Sequence, residues 1–413
     1  LHQTSRRGRK QKFVKPLAAL SLIVFVCVTC GVSGAADSVI GRAPAGAAFY
    51  APPAPLPPAA HGDVIWARPL TGAAVLRHAA SNTLVLYHTI TADGRDVAVS
   101  GAIAIPSGIP PSDGWPTISW AHGTTGNAPN CAPTRADAPN SEQRYLDAWV
   151  ANGFAVVQTD YEGQGTPGLH PYLVGVAAAH DVTDIVRAAR ELYPGIGTRW
   201  FAFGHSEGGS AAIFTAGIGP SWAPELHLTG AVSFAPASHI ASLLSSIRNS
   251  TRPTASLVFF LEMVEGIASV DPSIDLTTLL TPQALTRLPD LQKRCTDDLM
   301  DDATWTSLIP ADVFRPDAQL QPLLADFARN ESNRVHADVP ILLLQGDADD
   351  VVPSFMTTLV NGELCANGTR VTYDLLSGKT HGSIVSDSFA PTQAWVDELL
   401  ANGAPPATCP HTQ

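Results

Sequence analysis

The sequence is short of charge. Only 15% of its 413 residues are Asp, Glu, Lys or Arg, and acids outnumber bases 37 to 25. Six of the bases, Arg6, Arg7, Arg9, Lys10, Lys12 and Lys15, fall in the first 36 residues with no acid among them, so the net −12 of the whole becomes −18 for the rest. A body this acidic lacks the basic patches of a nucleic-acid surface, which excludes that class of partner. Long apolar runs are also missing. The run Leu17 to Val28 falls short of the ~20 residues a spanning helix requires. Cysteine is scarce, at six. No Cys/His spacing matches a zinc site, and no metal or cofactor is implied. No segment repeats, which excludes solenoid arrays. What is present, 45% hydrophobic residues, excludes disorder throughout.

Residues 1–36 read as a signal peptide. A basic start precedes the Leu17–Val28 run, and small residues follow from Gly31 to Ala36. That order implies export with cleavage; an uncleaved membrane anchor is the competing reading. After cleavage Cys131, Cys295, Cys365 and Cys409 remain. An even count in an exported chain implies two disulfides, for which three connectivities exist. Cys131–Cys295 with Cys365–Cys409 is the favoured pairing, the second tying down the C-terminal tail.

Residues 37–62 hold the proline-rich Ala51–Pro58 and read as an extended arm. Two β-rich segments, Leu84–Ile90 and Val97–Ile105, flank the turn Ala92-Asp93-Gly94. Strands at Pro116–Trp120, Phe154–Thr159, Trp200–Phe203 and Gly230–Phe234 then alternate with helices at Ser141–Asn152, Val176–Leu192 and Ser210–Ile218. In the second helix Asp181, Asp184, Arg187 and Arg190 take polar positions. Such alternation predicts βαβ units and a mostly parallel sheet, an α/β fold. Residues 237–337 break it. They show short helical patterns (Ile240–Ile247, Ser256–Ile267, Pro282–Leu291, Gln319–Ala328) and no clear strand, which predicts a helical cap inserted in the sheet. The sheet resumes with Val339–Gln345 and Val371–Leu376, alternating with helices Ser354–Cys365 and Thr392–Ala401. The core is therefore expected in two parts, 63–236 and 338–413.

Gly204-His205-Ser206-Glu207-Gly208 lies between an apolar strand and a helix. The bare G-x-S-x-G pattern arises by chance often enough that these flanks carry the argument. Strand, G-x-S-x-G, helix is the nucleophile turn that raises one serine hydroxyl at the top of a sheet. A serine hydroxyl is a weak nucleophile and needs an imidazole base, which in turn needs an orienting carboxylate. Both are expected on loops after later strands, acid first. Gly346-Asp347-Ala348-Asp349-Asp350-Val351-Val352-Pro353 supplies the acid. The G-x-x-D-x-x-V-P spacing selects Asp349 and leaves Asp347 and Asp350 as turn or cap residues. His381, after the last strand, supplies the base, and His205 reads as a packed histidine of the turn. Two backbone N–H groups must stabilise the oxyanion. Glu207 would give one, and Thr124 or Gly123, in the loop His122–Gly126, the other. The acid-rich Asp160-Tyr161-Glu162 reads as a structural loop or pocket wall rather than an acid–base pair.

Taken together, His122–Gly126, Thr159–Gly163, Gly204–Gly209 and Gly346–Pro353 resemble the secretory lipase family of α/β-hydrolases, from about Phe49 to Leu400. The resemblance implies an α/β-hydrolase fold with a helical lid. It implies Ser206 as nucleophile, Asp349 as acid and His381 as base, and a disulfide near Cys131. Many relatives carry Gln after the serine, where this chain has Glu207.

The reading is thus a secreted serine hydrolase of carboxylic esters, a triacylglycerol lipase or carboxylesterase working through an acyl-enzyme. A peptidase or amidase with the same triad is the alternative. A non-catalytic binding protein on the scaffold fits poorly with an ordered Ser/Asp/His set. The expected partners are an ester or lipid substrate and, transiently, a lipid–water interface, with no obligate protein partner.

Overall fold

The computed structural model describes residues 39–403 and 407–409, so the signal-peptide reading lies outside the described residues. Nine strands form one sheet in the order β1-β2-β3-β5-β4-β6-β7-β8-β9. They are β1 Val64–Pro69, β2 Ala79–Ile90, β3 Asp96–Pro106, β4 Trp115–Ala121, β5 Ala155–Thr159, β6 Ile196–His205, β7 His227–Phe234, β8 Ile341–Gly346 and β9 Val371–Leu376. The first three pair antiparallel with their neighbours, and β3 is antiparallel to β5. From β5 to β9 every pairing is parallel. The sequence reading began the sheet at Leu84 and missed β1, a short edge strand with a register irregularity between Val64 and Trp66. A bulged edge strand loses the clean alternation by which strands are recognised.

Strand side chains alternate between two faces, and each face has its own helices. On one face Ala202, Ala231, Ile341 and Leu343 pack with Val182, Ile185 and Val186 of α2 (Gly175–Leu192) and Ile213 of α3 (Glu207–Trp222). On the other, Phe201, Phe203, Val232, Leu342 and Leu344 pack with Leu146 and Trp149 of α1 (Glu142–Ala151) and Val396 near the C-terminus. Trp149 meets Phe203 edge to face at 5.4 Å between centroids. Burying a ring of this size contributes about 2–3 kcal/mol. Both faces are covered, which is why the parallel strands read as unbroken apolar runs.

Two aspartates of α2 depart from the solvent-facing reading. Asp181 and Asp184 are buried. Asp184 accepts bonds from Arg187, Thr89 and the Trp222 indole, and Asp181 accepts the Glu162 N–H. A buried carboxylate is tolerable when its oxygens are bonded in this way. Upstream of the sheet, Phe49 and Tyr50 are buried against Leu70, Leu84 and Leu86.

Between β7 and β8 the chain leaves the sheet for helices. The longer ones are α4 Ile240–Ile247, α5 Leu257–Val270 and α6 Gln321–Arg329. They enclose a second core that includes Val258, Leu261, Val264, Trp305, Leu323 and Phe327. Leu257, Val258, Phe260 and Leu261 are all buried, so this apolar stretch packs the cap interior. The pattern expected as one helix over Pro282–Leu291 is two single turns, Pro282–Leu285 and Leu288–Leu291. Pro289 has no N–H to give, and its ring would clash with the carbonyl four residues back.

Two disulfides join Cys131 to Cys295 and Cys365 to Cys409. The first bridges the loop after β4 to the cap. The second holds the C-terminal segment beside β9, where the Thr408 N–H donates to the Val371 carbonyl at 2.8 Å. α7 (Ser354–Ala366) connects β8 to β9, and α8 (Phe389–Asn402) follows β9. Among the described residues, no helix is long and apolar enough to cross a membrane.

Candidate active site

β6 ends at His205 and α3 begins at Glu207, so Ser206 makes the whole turn with φ +57° and ψ −113°. A non-glycine residue with positive φ is held there only when its surroundings over-determine it. The Ser206 N–H donates to the Phe234 carbonyl at 2.9 Å, and its own carbonyl accepts from Ser210 and Ala237 at 3.1 Å. The flanking glycines have a steric origin. A Cβ on Gly204 would lie 1.9 Å from the Gly208 carbonyl oxygen, and one on Gly208 would lie 1.9 Å from that of Ala121. Any larger residue would push the turn off β4.

At the end of β8, Asp349 is the buried member of the three candidate aspartates. Its Oδ2 accepts the His381 Nδ1–H at 2.8 Å and the Gln345 side-chain amide at 2.9 Å. Its Oδ1 accepts the N–H groups of Val351 and Val352 at 2.9 and 2.8 Å. Burial pushes this carboxyl up, but the His381 bond and charge and the two backbone donors outweigh it and hold it below the usual range. Asp347 is exposed and accepts the Gly378 N–H at 2.5 Å, bracing the loop before His381. Asp350 is exposed. With Nδ1 engaged by the carboxylate, Nε2 is the ring nitrogen left over on His381, the arrangement a general base would need.

His205 is packed into the turn and also bonded. Its Nδ1 meets Glu142 Oε1 at 3.2 Å, and its Nε2–H donates to the His381 carbonyl at 2.9 Å. Glu142 Oε2 accepts the Trp120 indole N–H at 2.9 Å. Burial pushes the Glu142 carboxyl up. The His205 bond and charge, the His122 charge and the indole reverse this and hold it below its ordinary value. One histidine thus links the Ser206 turn to the His381 loop.

On the other side of Ser206, the Glu207 side chain is buried, and its Oε1 accepts the His170 Nε2–H at 2.9 Å. Thr124, in the loop after β4, bonds through its hydroxyl to the Tyr172 hydroxyl at 2.7 Å. The same loop is tied to the cap. The Thr125 carbonyl accepts the Thr296 N–H, and Asn127 donates to the Glu262 carbonyl and to Glu265. Asp160 is a structural acid: it accepts from Ser100 Oγ and from the backbone and hydroxyl of Thr134. Glu162 is pushed up to about 7 by burial, which the His170 and Arg95 charges only partly offset.

Three residues of this arrangement escaped the sequence reading. Gln345 had a visible signal, since it is a polar residue inside an apolar strand; its amide also donates to the Val352 carbonyl. Glu142 and His170 had none, because each reaches the elbow across a long stretch of chain. Among the described residues, no group of three or more His, Cys, Asp or Glu is placed to hold a metal ion.

Comparison with known proteins agrees with this architecture. The sequence pattern of the family "secretory lipase" matches residues 138–407. A protein named lipase A from Arthroderma benhamiae is 23% identical over 80% of this chain and 75% of its own. A probable inactive lipase from Mycobacterium tuberculosis is 29% identical over 46% of this chain, which spans only 44% of that protein's length. The solved structure of Candida antarctica lipase A superposes with a TM-score of 0.74 at 19% identity, covering 88% of this chain and 87% of that one. At that identity it shows the fold alone, an α/β-hydrolase fold. With more than half of its length matched by the family pattern, the chain belongs to the secretory lipase family.

Proposed function

We propose that the protein is an exported serine hydrolase that cleaves carboxylic esters, with Ser206 as nucleophile, His381 as base and Asp349 as its orienting acid. The observation that carries the reading is the His381–Asp349 bond at 2.8 Å, on loops following β8 and β9, in a chain whose β6 is followed by a strained serine. Ser206 Oγ attacks the ester carbonyl while His381 Nε2 takes its proton. The Glu207 and Thr124 N–H groups stabilise the oxyanion. The imidazolium then returns the proton to the leaving alcohol, and water releases the acyl group by the same steps. Asp349, held ionised, stabilises the imidazolium throughout.

The cavity beside Ser210, one turn of α3 beyond Ser206, is lined by Leu173, Ile240, Met263, Ile267 and Phe327 with the polar Tyr172 and Asn330, and at about 10 Å³ it holds no more than a single water, so an acyl chain would need the cap to move. The relatives named as lipases favour a triacylglycerol or a related ester. Two disulfides favour an oxidising compartment and so export.

The test is hydrolysis of p-nitrophenyl esters of increasing acyl length and of triacylglycerol emulsions, by the wild type and by Ser206→Ala. The variant should lose about 10⁴-fold or more in kcat. Wild-type inactivity on every ester, or an active variant, overturns the reading. Turnover of soluble short esters alone marks an esterase.

A further inference from the structure

Glu207 places a carboxyl group, out of contact with water, beside the point where the reaction would develop negative charge. An unpaired buried carboxylate there would oppose the oxyanion. The structure answers with His170. Its Nε2 faces Glu207 Oε1 at 2.9 Å, and its Nδ1 faces the Glu162 carbonyl at 3.0 Å. Two acceptors face the two ring nitrogens. The ring is thereby clamped between the elbow and the loop after β5, while Glu207 Oε2 is left with no hydrogen-bond partner, so His170 is the side chain that fixes this carboxyl group. His170 is itself buried, with its ring stacked on Tyr161 at 5.6 Å and lying 6.0 Å from Tyr172.

Tyr172 is two residues further along, and its hydroxyl bonds Thr124 Oγ1 at 2.7 Å. Burial, reinforced by the Glu207 and Glu262 charges, holds this phenol protonated. Each proposed oxyanion donor is therefore tethered by its own side chain to one short segment between β5 and α2. Glu207 is held by His170 and Thr124 by Tyr172. The chain turns sharply there, with Leu173 at φ +58°, and the Val174 N–H closes back on the Pro171 carbonyl at 2.9 Å.

We propose that His170-Pro171-Tyr172 is a brace for the oxyanion hole, in which His170 and Tyr172 are positioning residues: His170 orients Glu207, and Tyr172 orients Thr124. The inference rests on the serine-hydrolase reading above. An oxyanion donor acts mainly in the transition state, so loosening it lowers kcat and spares KM. A displacement of about 1 Å costs up to about 10²-fold.

The experiment is a double-mutant cycle on the full-length protein with p-nitrophenyl butyrate, using His170→Ala, Glu207→Gln and both together, with Tyr172→Phe and Ser206→Ala alongside. His170→Ala should lower kcat about 10- to 100-fold with KM within about threefold. In the Glu207→Gln background the same substitution should cost no more than about threefold, because the carboxyl group that His170 fixes is gone. Tyr172→Phe should lower kcat about tenfold with KM little changed. Where His170→Ala does not fold, His170→Leu takes its place in the cycle. Equal losses in both backgrounds would reduce His170 to packing and overturn its role, and wild-type kcat in Tyr172→Phe would overturn the other half. If Ser206→Ala stays active, the hydrolase reading itself fails. If that variant is dead and the cycle is additive, only the brace fails.

Discussion

Two sets of buried carboxyl groups surround the elbow, and they are held in opposite states. On the core side, Glu142 and Asp349 are both held below their ordinary values, even though burial acts to raise them. On the cap side, Glu262 is pushed up to about 8 and Glu265 is raised, and burial is the leading cause in each. The difference lies in the partners. The core acids receive imidazole N–H groups from His205 and His381. Glu262 has only the Thr296 hydroxyl, and Glu265 the amides of Asn127 and Gln292. Glu262 also feels repulsion from Glu207, Glu265 and Asp297. The imidazole contacts of the core acids, with their other donors, outweigh desolvation, and the hydroxyl and amide bonds of the cap acids offset it only in part. Glu142 and Asp349 thus stay ionised across the neutral range, while Glu262 titrates within it.

Removing the fixed charge at the base should break this comparison most severely. Asp349→Asn should lower kcat by about 10³- to 10⁴-fold, because the amide no longer enforces the tautomer or stabilises the imidazolium. Asp347→Asn, on the exposed neighbour, should stay within about threefold. Steady-state kinetics on a soluble ester decides between them, and a reversed order would move the acid role to Asp347.

A smaller but substantial effect is expected at the second core acid. Glu142→Ala strands His205 and the Trp120 indole without their acceptor, and should cost about 3–5 kcal/mol of stability in urea unfolding. A cost below about 1 kcal/mol would show that the imidazole partner is not what holds this carboxylate in place.

The smallest effect tests the cap. Glu262 has a folded value above its unfolded one, so the stability it contributes is complete below about pH 4.5 and is lost as pH rises through about 8. Glu262→Gln cannot titrate. Relative to the variant, the wild type should therefore lose stability between about pH 5 and 8, by on the order of 1–3 kcal/mol. Unfolding measured at both ends of that window gives the sign, and parallel curves for the two proteins would remove the cap from the comparison.

Much of the site was legible because its parts are local. Ser206 sits between an apolar strand and a helix, and Asp349 and His381 sit on loops that directly follow strands. Each could be found from a few neighbouring residues. The linking residues could not. Glu142 lies 63 positions from His205, and His170 lies 37 positions from Glu207. No periodicity marks such a pairing. β1 escaped for the related reason that an irregular edge strand is defined by the neighbour it pairs with. Asp181 and Asp184 misled in the opposite direction. Polar residues on a helix usually face water, and only their bonded partners make burial tolerable.

By itself, then, the sequence determined the alternation of most strands and helices, the turn at Ser206 and which loops hold the proposed acid and base. Those depend on apolar periodicity, glycine sterics and short-range spacing, which a linear chain records directly. Only the tertiary structure decided which carboxyl groups stay ionised and how the carboxyl of Glu207 is tolerated beside the serine. A carboxyl group's state depends on what desolvates it and what faces it, and both are supplied by segments far away in the chain.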